Sequence, residues 1–349
     1  MTPDHVVSDT EVAAYERELG EYLGVEHVIA VSSGTAAIHT ALAAIGTRPG
    51  DEVLVAALAV VMSAAPVAHL GARPVFVDCD ITGCDFDYRD LADKLTERTI
   101  AVLPVQLWGR AGDTIRLHRF AEAHGLAVVA DSCQALGSTI NGTQAGTEAS
   151  IGCFSTHKLK LLSTDEGGFL TTNDEHYAAR ARAYRSHWMN PPGEQSSSRL
   201  AHNFRLAEPL AAIGRRELHR LDALIQRRIE QTTLMLELLA GVPQLDPAAA
   251  PAGQRWNHYA PLLYLRLRRP RAFSEHLANL GVANSTGTFK LIPLDQRLPF
   301  VDDTPPTCRT AAELLDGILA LAITRHDDDQ RLRYYAETIT REVTRWDSA

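Results

Sequence analysis

Leu126-Ala127-Val128-Val129-Ala130-Asp131-Ser132-Cys133-Gln134 begins as a β-branched apolar run and closes on an acid. Such a short run, bounded by polar residues, predicts a strand buried on both faces. Comparable runs recur at 27–31, 52–56, 74–77, 100–105, 151–154 and 168–171, with helical patterns between them, as at 35–44 and 114–124. Strands alternating with helices predict an α/β fold with a mostly parallel sheet covered on both faces. In such sheets ligands bind beyond the carboxyl ends of the strands. Asp131 occupies one such end, and Ser33-Gly34-Thr35 follows another.

Further along, Asn190-Pro191-Pro192-Gly193 through Ser198 reads as a surface loop. Leu218, Leu221, Ile225 and Ile229 then repeat at helical spacing, which predicts one long helix ending before Gly241-Val242-Pro243. Two domains follow: a large one over residues 1–230 and a smaller α/β domain over 231–349, with a strand over 259–267 and a helix over 310–321.

The 349 residues are 45% apolar and 22% charged, the composition of an ordinary globular protein with a sizeable core. A net charge of −9 without any Lys/Arg run argues against a nucleic-acid partner. Cys79, Cys84, Cys133, Cys153 and Cys308 show no metal-type spacing and are expected to be reduced thiols, with no metal site. Residues 1–5 are neither basic nor apolar enough for a signal peptide, and no apolar run is long enough to span a bilayer. These readings predict a cytoplasmic protein without a membrane partner.

A carboxylate closing a buried strand needs a partner, because an isolated charge in an apolar interior is expensive. A pyridinium N–H, an arginine or a capped helix would each serve Asp131. Downstream, Phe154-Ser155-Thr156-His157-Lys158-Leu159-Lys160 places two lysines among Phe154, Leu159, Leu161 and Leu162. A lysine downstream of a strand-end aspartate is the pair that pyridoxal phosphate (PLP) needs. The amine forms a Schiff base with the aldehyde, and the acid keeps the pyridine nitrogen protonated. On the residues alone, Lys158 and Lys160 compete for that role. Gly34 and Thr35, opening a helix after a strand, suit a phosphate or a plain N-cap. Gln134 can meet the phenolic oxygen of the cofactor or bond the backbone, Ser155 can donate to the phosphate or close a turn, and His157 can be a packing histidine, a substrate contact or neither.

In order along the chain, Ser33-Gly34-Thr35-Ala36, Pro49-Gly50-Asp51-Glu52-Val53, the stretch 71–78 and Pro104-Val105-Gln106-Leu107-Trp108-Gly109 precede the acid. The stretches 131–137 and 155–168 and Asn203-Phe204-Arg205 complete the series. Together they resemble the PLP-dependent sugar and cyclitol aminotransferases of the DegT/DnrJ/StrS family, on the fold-type I aminotransferase scaffold. The resemblance implies Lys160 as the Schiff-base lysine, Asp131 as the partner of the pyridine nitrogen, and Gln134 as a cofactor contact. It implies phosphate contacts from Gly34, Thr35 and Ser155, and from Asn203 lent by the neighbouring subunit of a homodimer with shared active sites. It also implies an amino donor such as glutamate or glutamine. The acceptor would be a keto-sugar, ketocyclitol or related small ketone in amino-sugar or antibiotic-type secondary metabolism.

Three positions and one segment depart from the family pattern. Val60 stands where an aromatic usually covers the pyridine ring, so apolar contact remains but stacking is lost. The segment that leads into the first helix is short. Asp295, in Pro293-Leu294-Asp295-Gln296, and Gln106 stand where histidines are common. Dehydratases of the family carry histidine in place of the lysine, so Lys160 argues against that chemistry. A homologue that kept the fold and lost turnover is a second alternative. An NAD-type dehydrogenase is a poor one, since no GxGxxG follows the first strand.

Overall fold

The computed structural model describes residues 10–83, 85–300 and 307–346. Cys84 and residues 1–5 therefore lie outside the described residues. Nine strands belong to the first part of the chain: β1 (His27–Val31), β2 (Glu52–Ala56), β3 (Arg73–Val77), β4 (Thr99–Leu103), β5 (Ala127–Asp131), β6 (Thr139–Ile140), β7 (Thr143–Gln144), β8 (Ile151–Ser155) and β9 (Gly168–Thr172). Between and after them run α1 (Glu11–Leu23), α2 (Gly34–Ile45), α3 (Val61–His69), α4 (Tyr88–Asp93), α5 (Thr114–Ala123), α6 (Glu175–Tyr184), α7 (Glu208–Leu218) and α8 (Leu221–Leu238).

Seven of the strands form one sheet in the order β1-β9-β8-β5-β4-β2-β3. The pairs β8/β5, β5/β4, β4/β2 and β2/β3 are parallel, and β9 runs antiparallel to both its neighbours. Side chains alternate across the sheet with the two-residue period of a strand. Ile29, Val53, Val55, Leu103, Val129 and Ile151 pack under α2, α3 and α6, while Leu54, Val102 and Val128 pack under α4 and α5. At the β1/β9/β8 edge, Val28, Phe154 and Phe169 meet α1, α7 and α8 instead. Both faces are therefore covered.

A second core gathers β10 (Leu245–Pro247), β12 (Leu262–Leu265), β13 (Ile318–Ala320), α9 (Pro270–Asn279) and α11 (Asp329–Trp346) around Leu263, Phe273, Leu319 and Tyr335. Its three strands are antiparallel. The short strand β11 (Gln254–Arg255) reaches back to pair with β6. Trp108 and Leu107 from the connection after β4, and Leu58 from the one after β2, meet Leu262, Leu315 and Ile318 at the junction.

Three sequence expectations are corrected. The long helix is two, because the chain leaves the helical run at His219 and Arg220. Leu218, Leu221 and Ile225 all enter one apolar cluster across that break, so packing overrides a spacing that no Gly or Pro interrupts. The helix expected over 310–321 stops at Gly317: α10 is Arg309–Gly317, and Ile318–Ala320 pair with β12. The strand expected over 259–267 is confined to Leu262–Leu265. Among the described residues no helix is long and apolar enough to cross a membrane, and none of their side chains cluster as a metal-binding group.

Candidate active site

Asp131 ends β5 and is 5% exposed. Its carboxylate accepts from the Ser63 hydroxyl at 2.6 Å and from the Cys133 backbone N–H at 3.1 Å. Ser63 lies in the first turn of α3, wholly buried, and its own N–H donates to the Val60 carbonyl at 3.0 Å. Both donors to Asp131 are neutral, and among the described residues no cation pairs with it. A buried carboxylate in that condition still has room for a charged or strongly polarised donor.

Lys160 sits in the loop between β8 and β9. That loop is pinned at its base: Thr156 N–H donates to the Gly167 carbonyl at 2.9 Å, and Thr164 N–H to the Thr156 carbonyl at 2.8 Å. The buried hydroxyls of Thr156 and Thr164 meet at 2.6 Å. Lys158 points outward and is exposed, whereas Lys160 is half-buried. The expected apolar surround is only partly present, since Leu161 and Leu162 are buried but Leu159 is exposed. Lys160 Nζ donates to the Tyr259 hydroxyl at 3.2 Å and lies 4.5 Å from the centre of that ring.

Cys133 links these parts. Burial pushes its thiol pKa up, as does the Asp131 charge, while the nearby Lys160 charge opposes them. A Cβ built on Gly34 would meet Cys133 Sγ and Ser155 Cβ, each at 2.8 Å. Only glycine therefore lets the start of α2 approach β8 so closely. Ser33 caps α2 by accepting from Ala36 N–H at 3.0 Å. The Gly34 and Thr35 N–H groups have no intrahelical acceptor, and the helix dipole adds partial positive charge there. Gly34, Thr35, Ser155, Cys133, Asp131 and Lys160 thus ring the carboxyl ends of β1, β5 and β8.

Other candidates take other positions. Gln134 lies in a series of turns, and its Oε1 accepts from the Trp108 backbone N–H at 2.7 Å, the plainer of its two expected roles. Gln106 gives its backbone N–H to the Asp131 carbonyl at 3.0 Å, while its side-chain oxygen is buried without a partner. Val60 caps α3 without a side-chain bond and packs toward the Trp108 cluster. Asn203 is exposed and forms an antiparallel bridge with Ser186. The next residue, Phe204, accepts from Ser32 N–H at 2.8 Å, which sets this segment beside the α2 entrance. His157 is half-buried, its Nε2 3.6 Å from Glu166 Oε1. Cys133, Cys153 and Cys308 are free thiols.

Ser63, Tyr259, Asn257 and Arg228 went unread in the sequence. The run Trp256-Asn257-His258-Tyr259, polar and aromatic directly before an apolar strand, was the signal available.

The sequence profile of the DegT/DnrJ/EryC1/StrS aminotransferase family matches residues 3–340. GDP-perosamine synthase of Caulobacter vibrioides is 37% identical over 211 residues, which span 60% of this chain and 57% of that protein. UDP-N-acetyl-3-dehydro-alpha-D-glucosamine 3-aminotransferase of Acidithiobacillus ferrooxidans is 31% identical over 333 residues, 95% of this chain and 88% of that one. Among solved structures, the aminotransferase TlmJ from Streptoalloteichus hindustanus superposes with a TM-score of 0.87 at 27% identity, covering 98% of this chain and 92% of that one.

Proposed function

Because the chain belongs to the DegT/DnrJ/EryC1/StrS aminotransferase family, we propose that it is a PLP-dependent aminotransferase acting on a keto-sugar. The named activities of the Caulobacter and Acidithiobacillus relatives support a nucleotide-linked acceptor, and the proposed donor is glutamate or glutamine, as the family resemblance implies. The observation that carries the reading is the meeting of Asp131, Lys160 and the α2 entrance around Cys133 and Gly34.

The residues present suit the cofactor. Asp131 is a buried carboxylate with neutral donors only, as a protonated pyridine nitrogen requires. Gly34, Thr35 and Ser155 line a glycine-dependent cradle at a helix start, as a phosphate requires. Among the described residues Lys160 Nζ donates to a phenol and pairs with no carboxylate, so no ion pair ties up the amine that, once neutral, would be the nucleophile. When bound, the cofactor supplies the electron sink that accepts the negative charge left on the donor Cα. Lys160 Nζ would anchor it and then act as the base at that Cα. Asp131 would hold the ring N–H, and Ser63 and Cys133 N–H would keep the carboxylate aimed. Gln134, through Trp108, would shape the wall beside the ring, and Val60 would give an apolar cover.

The proposal extends to the assembly. Asn203 would reach the phosphate of a second copy in a cytoplasmic homodimer, which its surface position allows. Two domains would divide near residue 230, within α8. Leu221 and Ile225 serve one core there, and Met235 and Leu239 the other.

The test is direct. Full-length protein loaded with PLP is mixed with glutamate or glutamine, and the absorbance is followed. Conversion of the aldehyde form to the amine form, reversed by a keto-sugar nucleotide, supports the proposal. A chromophore that no donor alters overturns it.

A further inference from the structure

Tyr259 touches Lys160 from a segment that does not belong to the lysine loop, and that segment is fastened at every point around it. Asn257 donates through Nδ2 to the Gln134 and Leu136 carbonyls at 2.8 and 2.9 Å, and its N–H donates to the Ser138 hydroxyl at 2.9 Å. Its Oδ1 accepts from the Tyr259 N–H at 2.8 Å. From the opposite side Arg228, 2% exposed on α8, donates to the Tyr259 carbonyl at 3.0 Å and to the His258 carbonyl at 3.4 Å. Between these anchors His258 is held at φ +52°, a left-handed conformation that side chains rarely adopt without support. Buried polar bonds and a strained residue together fix where one phenol points, and it points at Lys160 Nζ.

We propose that Tyr259 is the positioning residue of Lys160. Its oxygen commits one N–H of the amine at 3.2 Å, and its ring face, 4.5 Å away, favours a cationic nitrogen. The strap 254–259 thereby ties the lysine to α8 through Arg228 and to the 131–137 turns through Asn257. This inference rests on the function proposed above, in which Lys160 anchors the cofactor.

The experiment compares wild type, Tyr259→Phe and Tyr259→Ala as full-length proteins. Cofactor-free protein is trinitrophenylated with trinitrobenzenesulfonate at one pH, the amine displacing sulfite from the ring, and labelled Lys160 and Lys158 are quantified by peptide mass spectrometry. Exposed Lys158 is the internal control. Loss of the phenolic bond should raise Lys160 labelling about fivefold in Tyr259→Phe and weaken PLP affinity by a similar factor, the scale of one hydrogen bond. Lys158 labelling should stay unchanged, and the melting temperature of Tyr259→Phe should fall by only a few degrees, the scale of one lost hydrogen bond. Tyr259→Ala, which also removes the ring, should label faster still. Lys160 rates agreeing within about twofold between wild type and Tyr259→Phe overturn the inference, whatever Tyr259→Ala does, because a single hydrogen bond should exceed that margin. Should wild type capture no PLP while Lys160 labelling rises as described, the functional proposal fails and the positioning role stands.

Discussion

Ser63 and Asp131 meet in a 2.6 Å hydrogen bond across 68 positions of sequence, joining the first turn of α3 to the acid that closes β5. Since Ser63 follows the Val60 position by one helical turn, α3 aims the carboxylate as well as covering the site. Ser63→Ala removes a hydrogen bond to a charged group, worth about 1.5–3 kcal/mol. Urea denaturation should show a loss in that range, with weakened PLP binding. Unchanged stability and affinity would mean that the hydroxyl does not hold Asp131.

Asp131→Asn keeps the shape of the side chain and removes its charge. The variant should still bind PLP through Lys160, but turnover should fall by at least about 10²–10⁴-fold, the range for a lost proton-holding group. Single-turnover absorbance kinetics with the amino donor would register the loss in the chemical step. A variant as fast as wild type would remove Asp131 from the mechanism.

Asp295 stands where the family resemblance led to a histidine, and its structural task is visible. Its Oδ2 accepts from the N–H groups of Thr307 and Cys308 at 3.0 and 2.9 Å, and Asp78 accepts from Thr310 and Ala311. Together the two acids cap α10, where anionic groups are favoured. Asp295→Ala should cost about 0.5–2 kcal/mol, as other lost caps do. Asp295→Asn should restore part of it, and thermal melting would compare the two.

His39 provides a pH test. It is 6% exposed, with Tyr184 hydroxyl 3.2 Å from Nε2 and the rings of His202 and His69 at 5.1 and 6.2 Å. Burial, then His202 and His69, lower its pKa from 6.5 to about 4. The neutral form is favoured in the fold, so its contribution is complete above pH 6.5 and lost as pH falls toward about 4. Asp85 works the other way, because burial raises its pKa from 3.8 to about 6 and its contribution is lost as pH rises through that window. The His39 effect therefore appears in a difference. Between pH 7.5 and 4.5, wild type should lose about 2 kcal/mol more than His39→Gln. Parallel urea-unfolding curves for the two proteins would contradict it.

The strands of the large sheet were legible because each is a short apolar run bounded by turn residues, and a buried parallel strand carries its signal locally. The run 151–154 is β8 short by one residue, and 27–31 is β1 itself. What escaped depended on partners distant in the chain. The Leu218–Leu221–Ile225 spacing looks like one helix until their common cluster is seen, and Ile318–Ala320 become a strand only beside β12. Asp131 and Lys160 could be singled out because chemistry demands their types in that order. Ser63 and Tyr259 carry no such mark, since a serine and a tyrosine are ordinary until the fold sets them against an acid and an amine.

The account turns on the amine of Lys160. PLP-loaded protein should be reduced with borohydride, digested, and the pyridoxyl-bearing peptide sequenced by mass spectrometry. We predict the pyridoxyl group on Lys160, with no label in Lys160→Ala and full label in Lys158→Ala. A label on Lys158, or a borohydride-reducible chromophore surviving in Lys160→Ala, would contradict it.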